Sequence, residues 1–329
     1  MRSLPRLLSG AVAIIAVLAV AGVASAMQFS SWGTAQKIDE IAGNSTELNT
    51  ASVDGCPIQS PDGLSLYLAS TRPRVTGDTR TDLDIWVATR ASTDAPWGEP
   101  RNLSAVNTPF DEFCPTPVRG NGLLFVSRKP GGCGLGDIYF TRYNRNHGWS
   151  TPEHLACAPS GPNTNLDEQG PSRVEIDGSE YLYFSSSRAA GQGGPTVLAV
   201  PGEIYASKRS GDEFGPGVAV AGLNDATAND IQPNVRKDGR EVVFSSNRAG
   251  SAAQDIWAST RESTDDPWST PINVGPGVNT IASETRPSLS WNADQLLFGR
   301  QAPNYAGEGG LGRTDVYVST RTRIGGGGN

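Results

Sequence analysis

Histidine is nearly absent from this chain: His147 and His154 are the two among 329 residues. A Ser-His-Asp triad or a histidine-built metal centre has little to draw on. No Gly-x-Ser-x-Gly segment offers a serine nucleophile. The glycine-rich stretches 131–136 and 307–312 lack the Gly-Lys-Ser/Thr ending of a phosphate loop and read as loop punctuation. Lysine is scarce, and no basic run occurs anywhere. The formal net charge is −7, or −9 without Arg2 and Arg6, which argues against nucleic acid or an anionic membrane surface as partner. After the first 26 residues no apolar stretch is long enough to span a bilayer, and none keeps a helical period. In excess are glycine (39) and proline (23), with 37 % hydrophobic residues. That composition suits many short strands and turns.

Residues 1–26 read as a secretory signal. Arg2 and Arg6 precede an apolar stretch over 7–23, and Ala24-Ser25-Ala26 supplies a small-residue cleavage site. An uncleaved anchor is the alternative. Cleavage predicts a soluble monomer, secreted or held in the periplasm or cell envelope, without membrane contact. Export makes Cys56, Cys114, Cys133 and Cys157 candidates for disulfides, and four cysteines allow three pairings. Equivalent repeat positions favour Cys56 with Cys114, leaving Cys133 with Cys157. Their spacing fits no zinc site, and no metal is expected among them.

Internal repetition is the strongest signal. Trp32, Trp97, Trp149, Phe214 and Trp268 each open a short extended segment. Between them an acidic residue stands three before a proline five times: Asp54, Glu112, Glu168, Asp230 and Glu284. A turn follows, Asp-Gly or Asn-Gly in four of the five, and then an apolar strand ending at Arg72, Arg128, Arg188, Arg248 or Arg300. A variable loop leads to an acidic–aliphatic–aromatic triplet headed by Asp84, Asp137, Glu203, Asp255 or Asp315. Alternation and turn chemistry make these segments strands, four per unit. The expectation is an all-β, five-bladed β-propeller of four-stranded blades over 27–323, followed by a glycine-rich tail at 324–329. The fifth unit lacks its Trp-led strand, and the orphan segment 32–38 predicts that the N-terminus closes it.

These phrases resemble the TolB-like β-propeller repeat. The shared features are the Asp-Gly turn, the Ser-x-Arg strand end (Ser70-Thr71-Arg72, Ser186-Ser187-Arg188, Ser246-Asn247-Arg248) and the acidic–Ile–aromatic strand. Blades two and five depart from it with Ser127-Arg128 and Gly299-Arg300. The resemblance implies fold, and includes binding propellers as well as repeats found in polysaccharide-acting enzymes.

Strand direction places the five pre-proline acids, the five arginines and the five triplet acids on one face. Each arginine is expected to bridge its triplet acid and nearby carbonyls, as a structural set. The pre-proline acids are expected to ring the mouth of the central channel, open to a sugar, a peptide or a bound cation; no other cofactor is expected. Loops at 73–83, 189–202 and 301–314 are long and rim that face, with Tyr305 as a stacking surface. The functional expectation is a module binding a glycan or a cell-envelope protein on the carboxylate-lined face. The alternative is a carbohydrate-active hydrolase or lyase using the same acids. Equivalence of the acids by repeat weighs against catalysis, since a catalytic set should differ from blade to blade.

Overall fold

The structure, a computed structural model, describes residues 28–187, 202–301 and 314–324. Each acidic–proline phrase forms an inner strand: Asp54–Gln59, Glu112–Val118, Glu168–Ile176, Asp230–Val235 and Ser283–Leu289. A hairpin turn returns each to a second strand, which pairs with the triplet strand in antiparallel register. The Trp-led segments supply short outer strands, such as Arg101–Asn102 in blade one and Ile272–Asn273 in blade four. Blades two and three split that outer edge into two pieces on the same triplet strand.

The five sheets form a five-bladed β-propeller, and side-chain bonds to backbone trace four of its five joints. Thr116 donates to Pro171 O and the amide of Val235 to Ser172, linking blades two, three and four. The amide of Leu289 donates to Asn234, and Ser288 to Pro57 O, carrying the circle through blade five to blade one. Apolar clusters fill the gaps between blades. Val174, Tyr183, Ile204, Phe244 and Trp257 do so between blades three and four, and Leu66, Trp97, Leu297 and Val316 between five and one.

The N-terminus closes the ring. Gln36–Lys37 pairs with Thr314–Thr320 as the fourth strand of blade five, and Gln28–Phe29 pairs with Arg323–Ile324 beside it. Ile324, expected in the tail, is therefore part of a strand pair. Among the described residues no helix is long and apolar enough to cross a membrane. The signal read at 1–26 lies outside the described residues.

Proline inside an inner strand is accommodated by a bulge. In all five blades the register of the inner strand slips around the proline. The residue before each proline has positive φ: Cys56 (51°), Cys114 (48°), Gly170 (58°), Gln232 (56°) and Arg286 (58°). Only the glycine adopts that conformation without steric cost.

Candidate functional site

Three levels along the propeller axis carry polar chemistry. At the upper level stand the five pre-proline acids. Asp54, Glu112, Glu168, Asp230 and Glu284 are each 0 % exposed, so they do not open onto a channel mouth. Their oxygens are taken by the loop that enters each blade. Thr50, Thr108, Thr164 and Thr280 each donate both amide and hydroxyl to the acid of their blade. In blade four the amide of Asp225 does so alone. The asparagine before each of these residues binds the preceding triplet strand. Asn107 both accepts from Ile85 N and donates to Ile85 O, and Asn49, Asn163, Asn224 and Asn279 repeat the pattern.

The arginines pair differently from the expectation. Arg72, Arg248 and Arg300 reach the pre-proline acids Asp54, Asp230 and Glu284, not the triplet acids. Each also donates to a carbonyl of the entry loop, at Glu47, Leu223 or Val278, 2.6 Å in every case. A carboxylate one strand nearer the axis is within the same guanidinium fork as the loop carbonyl, which satisfies more donors at once. The triplet acids find other partners. Asp84 takes Arg74 and Asn102, Asp255 takes Asn273, Asp315 takes Lys37, and Glu203 accepts from Tyr205. Asp137 accepts from the amide of Cys133 and lies 3.4 Å from His154.

Arg128 is the exception. It turns outward, 39 % exposed, and forks between Asp111 and Asp167 at 3.1 and 3.0 Å. Glu112 is left to Thr108 and Ser127. Burial raises its carboxyl above the ordinary value, and these hydrogen bonds offset only part of that. Glu168, Asp230 and Glu284 are raised for the same reason. Arg188, Tyr305 and most of the loops 189–202 and 301–314 lie outside the described residues.

Cys133 and Cys157 form a disulfide, the pairing expected for them. His154 lies 3.6 Å from Cys133 Sγ, but a sulfur committed to a disulfide offers no thiolate to a metal.

The middle level is the ring of positive-φ residues. Cys56 and Cys114, expected to form the other disulfide, are instead buried free thiols whose sulfurs lie 2.7 Å apart, and Arg286 donates to Cys56 Sγ at 3.1 Å. Burial pushes the Cys56 thiol well up. Burial acts the same way on Cys114, yet the Cys56 hydrogen bond and the Arg286 charge outweigh it and leave that thiol at about 7. A side chain at Gly170 would meet Gln232 Cα at 2.6 Å, so the ring is already full. The cavity at this level is about 30 Å³, room for a water but not for a sugar.

The lower level is the mouth on the hairpin-turn side. A cleft of about 320 Å³ opens there, lined by Pro61, Arg119, Arg173, Glu175, Lys237 and Trp291 among others. Pro61, Arg119, Lys237 and Trp291 each follow the acid of their blade by seven residues, so the repeat itself delivers them to one place. Arg119 and Lys237 both lie over the Trp291 ring, 4.6 and 5.0 Å from its centroid. Sequence reading passed over this level. Its signal was a tryptophan at a turn position occupied by proline, arginine, glutamate (Glu175) or lysine in the other blades.

No protein-family profile and no curated protein matches the chain in sequence. Solved structures do match in fold. A thermostable family-43 glycoside hydrolase superposes with TM-score 0.54 at 17 % identity, over 84 % of this chain and 90 % of that one. An endo-arabinase from Bacteroides thetaiotaomicron gives 0.52 at 14 %, over 90 % and 99 %. TolB from Acinetobacter baumannii gives 0.42 at 14 %, over 81 % and 53 %. The likeness is one of fold: this chain shares the five-bladed architecture of those enzymes.

Proposed function

We propose that the chain is an exported propeller that binds a glycan and does no chemistry on it, with the Trp291 cleft as its site. The observation that carries this reading is the half-buried Trp291 in a recess of about 320 Å³ on the propeller axis. The indole holds Arg119 and Lys237 in place at little entropic cost, and these side chains with Glu175 can meet hydroxyl groups. Glycoside hydrolysis needs two carboxylates facing one bond. The five pre-proline acids have no oxygen to spare for substrate, because loop amides, hydroxyls and arginines occupy them from inside the fold.

A hydrolase remains the second reading, favoured by two observations. The fold neighbours are named as a glycoside hydrolase and an endo-arabinase. On the upper face, Asp111 and Asp167 flank the single guanidinium of Arg128. The test is a glycan array followed by product analysis on each hit. Saturable binding without products, lost in Trp291→Ala, supports the module. Turnover that Trp291→Ala leaves intact and Asp167→Asn removes supports the hydrolase and overturns the module.

A further inference from the structure

We infer that the Trp291 cleft selects a sugar bearing an anionic group, a carboxylate or a sulfate, and that Arg119 and Lys237 read that charge. This rests on the glycan reading of the same cleft. The argument starts from how the ionic groups around the mouth are used. Arg173 and Arg209 both bind Glu180. Asp177 accepts from Thr264, and Arg236 is held by Asp238 and Glu241. Among the described residues, Arg119 and Lys237 have no carboxylate within ion-pair distance and donate no side-chain hydrogen bond.

That sets Arg119 apart from the arginines stacked on other tryptophans. Arg90 over Trp97 donates to Gly63 O, and Arg261 over Trp268 donates to Gly239 O and Thr264 O. Those arginines hold the fold together. Arg119 and Lys237 are exposed, and their position over one indole gathers two like charges at the mouth of a cleft. The indole offsets part of their repulsion, and an anion bound beside them in the cleft would offset the rest. They come from blades two and four, with Trp291 from blade five, so the arrangement exists only in the closed ring. Glu175 and the overall charge of −7 disfavour a long polyanion, which points to a short acidic oligosaccharide.

Calorimetric titration of the full chain tests this with three probes: an oligogalacturonate, the same oligomer reduced to its neutral form, and a sulfated oligosaccharide of equal length. The acidic probes should bind about tenfold or more tighter than the neutral one at low salt, with the gap closing as salt rises. Carboxylate or sulfate preference then names the source of the charge. Arg119→Gln with Lys237→Gln should bring acidic probes to the neutral level, and circular dichroism should show the fold intact because both sites are exposed. Equal affinity for neutral and acidic probes, or a preference that survives the double substitution, overturns the charge inference and leaves glycan binding standing. Absence of binding to every probe here and to every glycan on the array overturns both.

Discussion

Glu112 provides the sharpest test of the view that the pre-proline acids hold the ring together. It is fully buried, has no cation of its own, and accepts from Thr108 N, Thr108 Oγ1 and Ser127 Oγ at 2.6, 2.7 and 2.6 Å. Glu112→Ala strands one backbone amide, at about 1–3 kcal/mol, and two hydroxyls that can partly reorient, at about 1 kcal/mol each. The total is roughly 3–5 kcal/mol, a large share of a domain's usual 5–15. Glu112→Gln keeps an oxygen for the amide and turns its NH₂ toward hydroxyls that can accept. It also removes a buried charge, so it should stay within about 1 kcal/mol of the parent. The pH dependence has a definite sign. The folded carboxyl is raised above 4.5, so the native state holds more protons between those two values. Glu112 therefore adds stability as pH falls through its folded value, and Gln removes that increment. Urea unfolding followed by circular dichroism at neutral and mildly acidic pH measures all three. If Ala costs under about 0.5 kcal/mol, or Gln costs as much as Ala, the acid does not hold the loop.

Removing the arginine instead should show the same network from its other side. Arg72→Met leaves Asp54 buried without its cation and should cost about 3–5 kcal/mol, whereas Arg128→Met should cost under about 1 because that arginine is exposed; equal losses in urea unfolding would contradict the assignment. Deleting residues 28–37 exposes the edge of blade five and should lower the thermal midpoint by many degrees. An unchanged midpoint refutes the closure. Replacing Cys133 and Cys157 with serine opens a loop of 24 residues, a loss of about 3.5 kcal/mol in denaturant, and a loss near zero refutes it. Under oxidising conditions Cys56 and Cys114 should join as well, so peptide mapping without reductant should find neither thiol free.

Blade number, strand order and the closing segment were readable because each repeat encodes its own hairpin, and Asp-Gly turns fix local register without reference to distant parts. The acids were readable as a ring but not as buried. Residue type alone does not say whether a carboxylate meets solvent or a loop. The deciding pattern was nevertheless present, as Asn-Thr three residues short of the acid at 49–54, 107–112, 163–168 and 279–284. Asparagine there binds the previous blade, and threonine binds the acid. Arginine pairing was misassigned for a different reason: a long side chain reaches two strands equally well, and loop carbonyls decide between them. The Trp291 cleft was invisible because its residues come from different blades, and their neighbourhood is created only when the circle is complete.

That circle has a seam, and the seam sets an order of events. Blades one to four each assemble from residues near one another in sequence, while blade five requires Gln36–Lys37 to find Thr314–Thr320 across most of the chain. Loop-closure entropy makes such a contact late. The fastening is built for that moment: Arg321 stacks on Phe29 and Trp32, and pairs with Glu241 of blade four. A chain made from its N-terminus therefore remains an open arc with two bare edges until residues 314–324 emerge. During that interval the arc is vulnerable to pairing with a second copy of itself, and Arg321 is the residue whose arrival ends the exposure.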